Sequence, residues 1–134
     1  MQKLSSVLLV DDDSTNNFLN ELLLKRLEVT DHLLVAENGS EALTLLTERA
    51  ETSEASLPAL IFLDVNMPVM GGLEFLEAYQ QLPTDQQPPI VVAILTTSVN
   101  PRDQQRAAKL PIAAYLTKPL TQQQVEQVVA QHFA

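Results

Sequence analysis

The chain has 134 residues, a length that suits one domain able to bury its own core. Its composition, 46% hydrophobic and 19% charged, is that of a globular protein, and no window approaches a membrane span. The absence of cysteine excludes disulfides, thiolate catalysis and zinc-thiolate sites, and a net charge of −9 argues against generic nucleic-acid binding.

The acidity points instead to a cation or a basic protein patch as partner. Met1 to Ser6 is not followed by an apolar stretch of signal-peptide length, because "VLLV" meets three aspartates at once. A cytoplasmic protein is expected. His32 and His132 stand a hundred positions apart, in contexts that read as a strand start and a terminal helix.

In chain order, "SVLLV" (6–10) predicts a first strand that ends at Asp11. The following Asp13 and Ser14 suit a helix N-cap, and Phe18, Leu19, Leu22, Leu23 and Leu27 recur at helical spacing. "HLLVA" (32–36) predicts the second strand, and a helix runs on through Ala42, Leu43 and Leu46. The polar stretch 50–58 reads as a loop before the third strand, "ALIFL" (59–63), and a helix from about Gly72 to Gln81. A Pro-bounded loop at 83–89 leads to the fourth strand, "IVVAIL" (90–95). Pro101 suits the first turn of the next helix, which reaches about Leu110. "AAYLT" (113–117) is the fifth strand, and Val125, Val128, Val129 and Phe133 share one face of the last helix.

The strands are continuously apolar rather than alternating, as parallel strands buried on both faces are. Five β-α units predict an open doubly wound α/β sheet, since a closed eight-stranded barrel takes nearly twice the length. A single domain over 1–134 is expected, with no repeat, no linker and no output domain.

In such sheets ligands bind outside the carboxyl ends of the strands. Those ends carry Asp11-Asp12-Asp13, Asp64, Thr96-Thr97 and Lys118. Converging carboxylates repel one another unless a cation keeps them ionised together, and hard oxygen ligands suit Mg2+. A lone aspartate beside such an ion, with a hydroxyl and a lysine close by, is equipped to accept a phosphoryl group. Each residue alone has a plainer reading: a helix cap for Asp11 or Asp12, a loop residue for Asp64, a satisfied hydroxyl for Thr96. The combination is what points to chemistry.

The segments "VDDD", "FLDVNMPVMGG", "LTTS" and "YLTKPL", in this order and spacing, resemble the receiver domain of two-component response regulators over essentially the whole chain. The resemblance implies a CheY-like, flavodoxin-like (βα)5 fold with strand order 2-1-3-4-5. It implies Asp64 as phosphoacceptor, Mg2+ bound by Asp12 and Asp64 directly and by Asp11 through water, and the carbonyl of Asn66 as a further ligand. Thr96 is implied as the switch hydroxyl, Lys118 as the phosphate contact, Tyr115 as the switch aromatic and Pro119 as a cis-proline. Asn66 and Ser98 occupy positions that tune phosphoryl lifetime in the family.

The resemblance further implies a stand-alone signalling domain, assisting only its own phosphorylation and dephosphorylation. Its donor would be a sensor histidine kinase or a histidine phosphotransfer protein. Its output would be a protein contact on the fourth helix, fifth strand and fifth helix, with no nucleic acid and no membrane involved, as a monomer or weak dimer. There Arg102, Arg106 and Lys109 form a stripe that fits either a solvated face or a docking surface for an acidic partner. Two departures from the family pattern, the long 50–58 loop and the missing glycine in "LPIAAY", lie away from the site.

Three rival readings stand beside this one. A haloacid-dehalogenase-type phosphatase also uses an aspartyl nucleophile with Mg2+, but Asn66 stands where its second aspartate is required. A flavin-binding module needs a hydroxyl-rich phosphate loop where this chain has aspartates. A receiver-like module that interacts without phosphorylation would keep the same fold.

Overall fold

The apolar runs form strands because a surface that must be buried on both faces favours Val, Ile, Leu and Phe at every position. A computed structural model describes residues 3–52, 57–65, 67–81, 90–97, 100–110 and 112–133. The strands are β1 (Val7–Val10), β2 (Leu33–Ala36), β3 (Leu60–Leu63), β4 (Val91–Thr96) and β5 (Ala114–Thr117). The helices are α1 (Ser14–Arg26), α2 (Gly39–Thr52), α3 (Gly72–Gln80), α4 (Pro101–Ala108) and α5 (Gln122–His132). All strands are parallel, in the order β2-β1-β3-β4-β5, as expected.

Successive side chains of a strand enter opposite faces. Leu8, Val10, Ile61, Leu63, Val92 and Ile94 pack with residues of α2, α3 and α4. Their neighbours Val7, Leu9, Leu60, Phe62, Ala93 and Leu95 pack with residues of α1 and α5. The two cores sandwich the sheet, which is why no strand shows polar alternation. Helix entry is set by local chemistry. Asp13 caps α1 by accepting from Thr15 N and Asn16 N, Asn100 caps α4 ahead of Pro101, and Thr121 forms a capping box with Gln124 at α5.

Two expectations need correction, and one falls on residues not described. Helix α2 continues through Thr52, so the first residues of the stretch read as loop are helical, while Leu57 and Pro58 are buried. The loop read at 83–89 lies outside the described residues. In α1, Phe18, Leu19 and Leu22 are 59%, 54% and 50% exposed, whereas Asn17 and Leu24 are the buried positions. Consecutive leucines allow several helical phases. Contact with the sheet selects the one that turns Asn17 inward.

The turn after β3 is unusual. Met70 N–H donates to Pro68 C=O at 2.7 Å, closing a three-residue turn around Val69, whose φ is +67°. A β-branched residue is strained there, and its exposed side chain offers little packing in return. Val69→Gly relieves about 1–3 kcal/mol of strain and loses about 0.5–1 kcal/mol to unfolded-state entropy. The variant is therefore expected to gain about 1 kcal/mol in urea denaturation; an unchanged or lower midpoint would show that Val69 is unstrained.

Candidate functional site

The strand order reverses between β1 and β3, and registers on both sides bring chain-distant residues together. Val10 pairs with Leu63, so Asp11 and Asp64, each one residue further along, become neighbours. Thr96 is the last residue of β4 and pairs with Thr117, which sets Lys118 at the same edge. One carboxylate oxygen from each of Asp11, Asp12 and Asp64 lies within 4.8 Å of the others. Asp11 and Asp64 are buried, and Asp12 is exposed.

Lys118 Nζ sits between the two buried carboxylates, 2.6 Å from Asp11 Oδ2 and 3.3 Å from Asp64 Oδ2. The Lys118–Pro119 peptide bond is cis, and Lys118 N–H donates to Thr96 C=O at 3.0 Å, so the ends of β4 and β5 are tied at the site. Asp64 Oδ1 accepts from the N–H of Val65 at 2.8 Å. Asp11 Oδ1 accepts from the N–H of Asp13 at 2.9 Å. Gly72 lies against the main chain of Asp64, where a Cβ would overlap the Asp64 carbonyl oxygen. That close approach, rather than looseness, is what the second glycine of "MGG" provides.

Burial pushes the Asp64 carboxyl above the usual carboxylate range, and the charge of Asp11 adds to this against the opposing pull of Lys118. Burial works against the Lys118 charge as well. Its hydrogen bonds and charge contacts with Asp11 and Asp64 outweigh that and hold the ammonium above the ordinary lysine value. Three carboxylates beside one ammonium leave a deficit that a divalent cation compensates, and an all-oxygen donor set fits a hard ion.

Thr96 is buried at the end of β4. Tyr115 packs against the core on the α4 side, with its hydroxyl buried and unpartnered among the described residues. Asn66, expected as a carbonyl ligand, and Ser98 lie outside the described residues. In the basic stripe of α4, Arg106 is committed within the chain. Its Nη2 donates to Glu77 Oε1 of α3 at 2.8 Å, and Nη1 lies 3.9 Å from Glu74. The sequence reading missed Asn17, whose Nδ2 donates to Asp11 C=O at 2.9 Å. Its only signal was a polar residue seven positions before the buried Leu24.

Because the folded-state pKa of Asp64 is raised, its contribution to stability is fully present below the unfolded value of 3.8 and is lost as pH rises through the folded value. At neutral pH the ionised side chain is a net cost. Asp64→Asn leaves Lys118 paired with Asp11 and is expected to stabilise the metal-free protein by about 1 kcal/mol at pH 7, roughly 3–5 °C, discounted for nearby solvent. Thermal melts in chelator from pH 7 to pH 4 check this: the gain should shrink as pH falls.

Comparison with known proteins gives the same picture. The family model for the response regulator receiver domain matches residues 7–130. Response regulator Rcp1 from Synechocystis sp. is 34% identical over 112 residues, covering 84% of this chain and 75% of that protein. A two-component response regulator from Cytophaga hutchinsonii superposes with a TM-score of 0.86 at 29% identity, covering 97% of each chain. The phosphorylated cyanobacterial phytochrome response regulator RcpA superposes with a TM-score of 0.74 at 30% identity, covering 94% of this chain and 89% of that one. With its strand order, its acidic edge and a family match spanning nearly its whole length, the chain belongs to the response regulator receiver domains of two-component signalling.

Proposed function

We propose that Asp64 accepts a phosphoryl group from a phosphohistidine donor, a sensor histidine kinase or a histidine phosphotransfer protein, and that the modification switches a protein-binding face. The observation that carries this reading is the single ammonium of Lys118 held between the buried carboxylates of Asp11 and Asp64. In the transfer, a carboxylate oxygen of Asp64 forms a bond to phosphorus as the bond to the donor's imidazole nitrogen breaks; the electron pair returns to that nitrogen, and with a proton already on the other ring nitrogen the imidazole leaves neutral. Asp11, Asp12 and Asp64 would hold Mg2+, which when bound supplies neutralisation of the phosphoryl oxygens.

Lys118 then serves two states. Before transfer it offsets two carboxylates; afterwards its ammonium is within reach of the new phosphoryl oxygens. The modification adds roughly −1.5 to −2 charges beside Thr96 and the β4–β5 tie. Thr96 and Tyr115 carry that change outward to α4, β5 and α5. Helix α4 suits a moving part, since Ala107 is its buried residue and Arg106 holds it to α3 through an exposed ion pair. RcpA was captured phosphorylated, which agrees with this chemistry for the family.

Incubation with acetyl phosphate and Mg2+ tests the reading. Intact mass should show one added phosphoryl group on the wild type and none on Asp64→Asn or in chelator. No gain at times short enough to outrun hydrolysis, repeated with a phosphohistidine donor, would favour an interaction module that works without phosphorylation.

A groove of about 470 Å³ beside Lys118, lined by Asn16, Leu19, Asn20, Thr97, Lys118 and Pro119 among others, offers a protein donor a place to dock. Beside it α1 leaves Phe18, Leu19 and Leu22 exposed. Leu19→Glu is therefore expected to slow transfer from a phosphohistidine protein about tenfold or more while leaving phosphorylation by acetyl phosphate within twofold, as stopped time courses with both donors would show. Equal rates from the protein donor would place its docking elsewhere.

A further inference from the structure

Asn17 is an asparagine in a position that packing alone would give to an apolar residue. It is 5% exposed, on the buried line of α1 with Leu24 seven residues on. Its Nδ2 donates to Asp11 C=O at 2.9 Å, but its Oδ1 has no hydrogen-bond partner among the described residues. The residue lines a narrow crevice with Asp11, Asn20, Phe62 and Asp64, too tight to admit a water molecule. A buried amide oxygen left in this state costs about 1–3 kcal/mol. Core packing therefore does not account for the asparagine. The bond to Asp11 is the compensating feature.

That bond falls at a strategic peptide. Asp11 N–H donates to Ala36 C=O, its Oδ1 accepts from Asp13 N–H, and its Oδ2 accepts from Lys118. The carbonyl gripped by Asn17 belongs to the planar unit that joins Asp11 to Asp12. Fixing that plane fixes the direction in which the Asp12 Cα leaves the strand, and with it the relative placement of the two carboxylates. Asp12 is exposed, so its placement depends on its backbone more than on surrounding packing.

We infer that Asn17 is a positioning residue for the acidic site: its side-chain N–H holds the Asp11–Asp12 peptide so that both carboxylates face Asp64, at a cost to the stability of the fold. The inference rests on the reading of that cluster as a divalent-cation site. It separates two quantities that a purely structural anchor would move together. Asn17→Leu removes the unpartnered oxygen and fills the space with apolar atoms. It should leave thermal stability in chelator unchanged or higher, yet lower Mg2+ affinity about tenfold, the usual effect of removing a group that orients a ligand.

Calorimetric titration of the full chain with Mg2+, beside thermal melts in chelator, reads both. Should the leucine variant fail to fold, Asn17→Ala removes the same donor without added bulk and should show the same loss of affinity. Mg2+ affinity within twofold of wild type in the folded variant, whatever its stability, overturns the inference and leaves the site reading intact. A wild-type chain that binds no Mg2+ overturns both, which distinguishes the two failures.

Discussion

The site is organised around one ammonium group and two carboxylates that share a buried edge. Asp11 and Asp64 are brought side by side by the β1–β3 register, and burial together with the charge of Asp11 makes the Asp64 carboxyl costly to ionise. Lys118 reaches both from β5, two strands beyond β3, so the charge balance spans the sheet from its switch point outward. A change of charge at Asp64 is therefore felt at once at the start of the β5–α5 segment. The main-chain bond from Lys118 to Thr96 extends that coupling to β4.

Function and stability oppose one another here in a physically simple way. Asp64 is harder to ionise than a free carboxylate, Asn17 Oδ1 and the Tyr115 hydroxyl are buried with no partner among the described residues, and Val69 sits at positive φ. These features gather around the carboxyl edge and its adjoining face, while the opposite-facing cores are filled by Leu, Val, Ile and Phe. Such local costs persist only where a well-packed scaffold over-determines the conformation. The two-sided core supplies that surplus.

The α3–α4 side shows how an apparent binding stripe changes meaning in three dimensions. Arg102, Arg106 and Lys109 are regularly spaced, but Arg106 is drawn to Glu77 and Glu74 on the neighbouring helix. It fastens α4 to α3 in a weak, solvent-screened way. Under the proposed switch, a weak tie would let α4 shift when the site beneath it changes charge.

The sequence alone determined the elements, the parallel arrangement and the acidic edge, because each is written in local or periodic features. Continuous apolar strands, capping residues and the aspartates after "VLLV" and "LIFL" are legible without knowing what they touch. The tertiary structure decided which side of α1 faces inward, because a leucine-rich helix satisfies several phases until the sheet selects one. It likewise decided that α2 runs on to Thr52, that Arg106 pairs within the chain, and that Asn17 grips Asp11. The facing of α1 and the pairings of Arg106 and Asn17 depend on contacts between separate elements, and a pattern along one chain carries no record of the distance or direction between side chains on different elements.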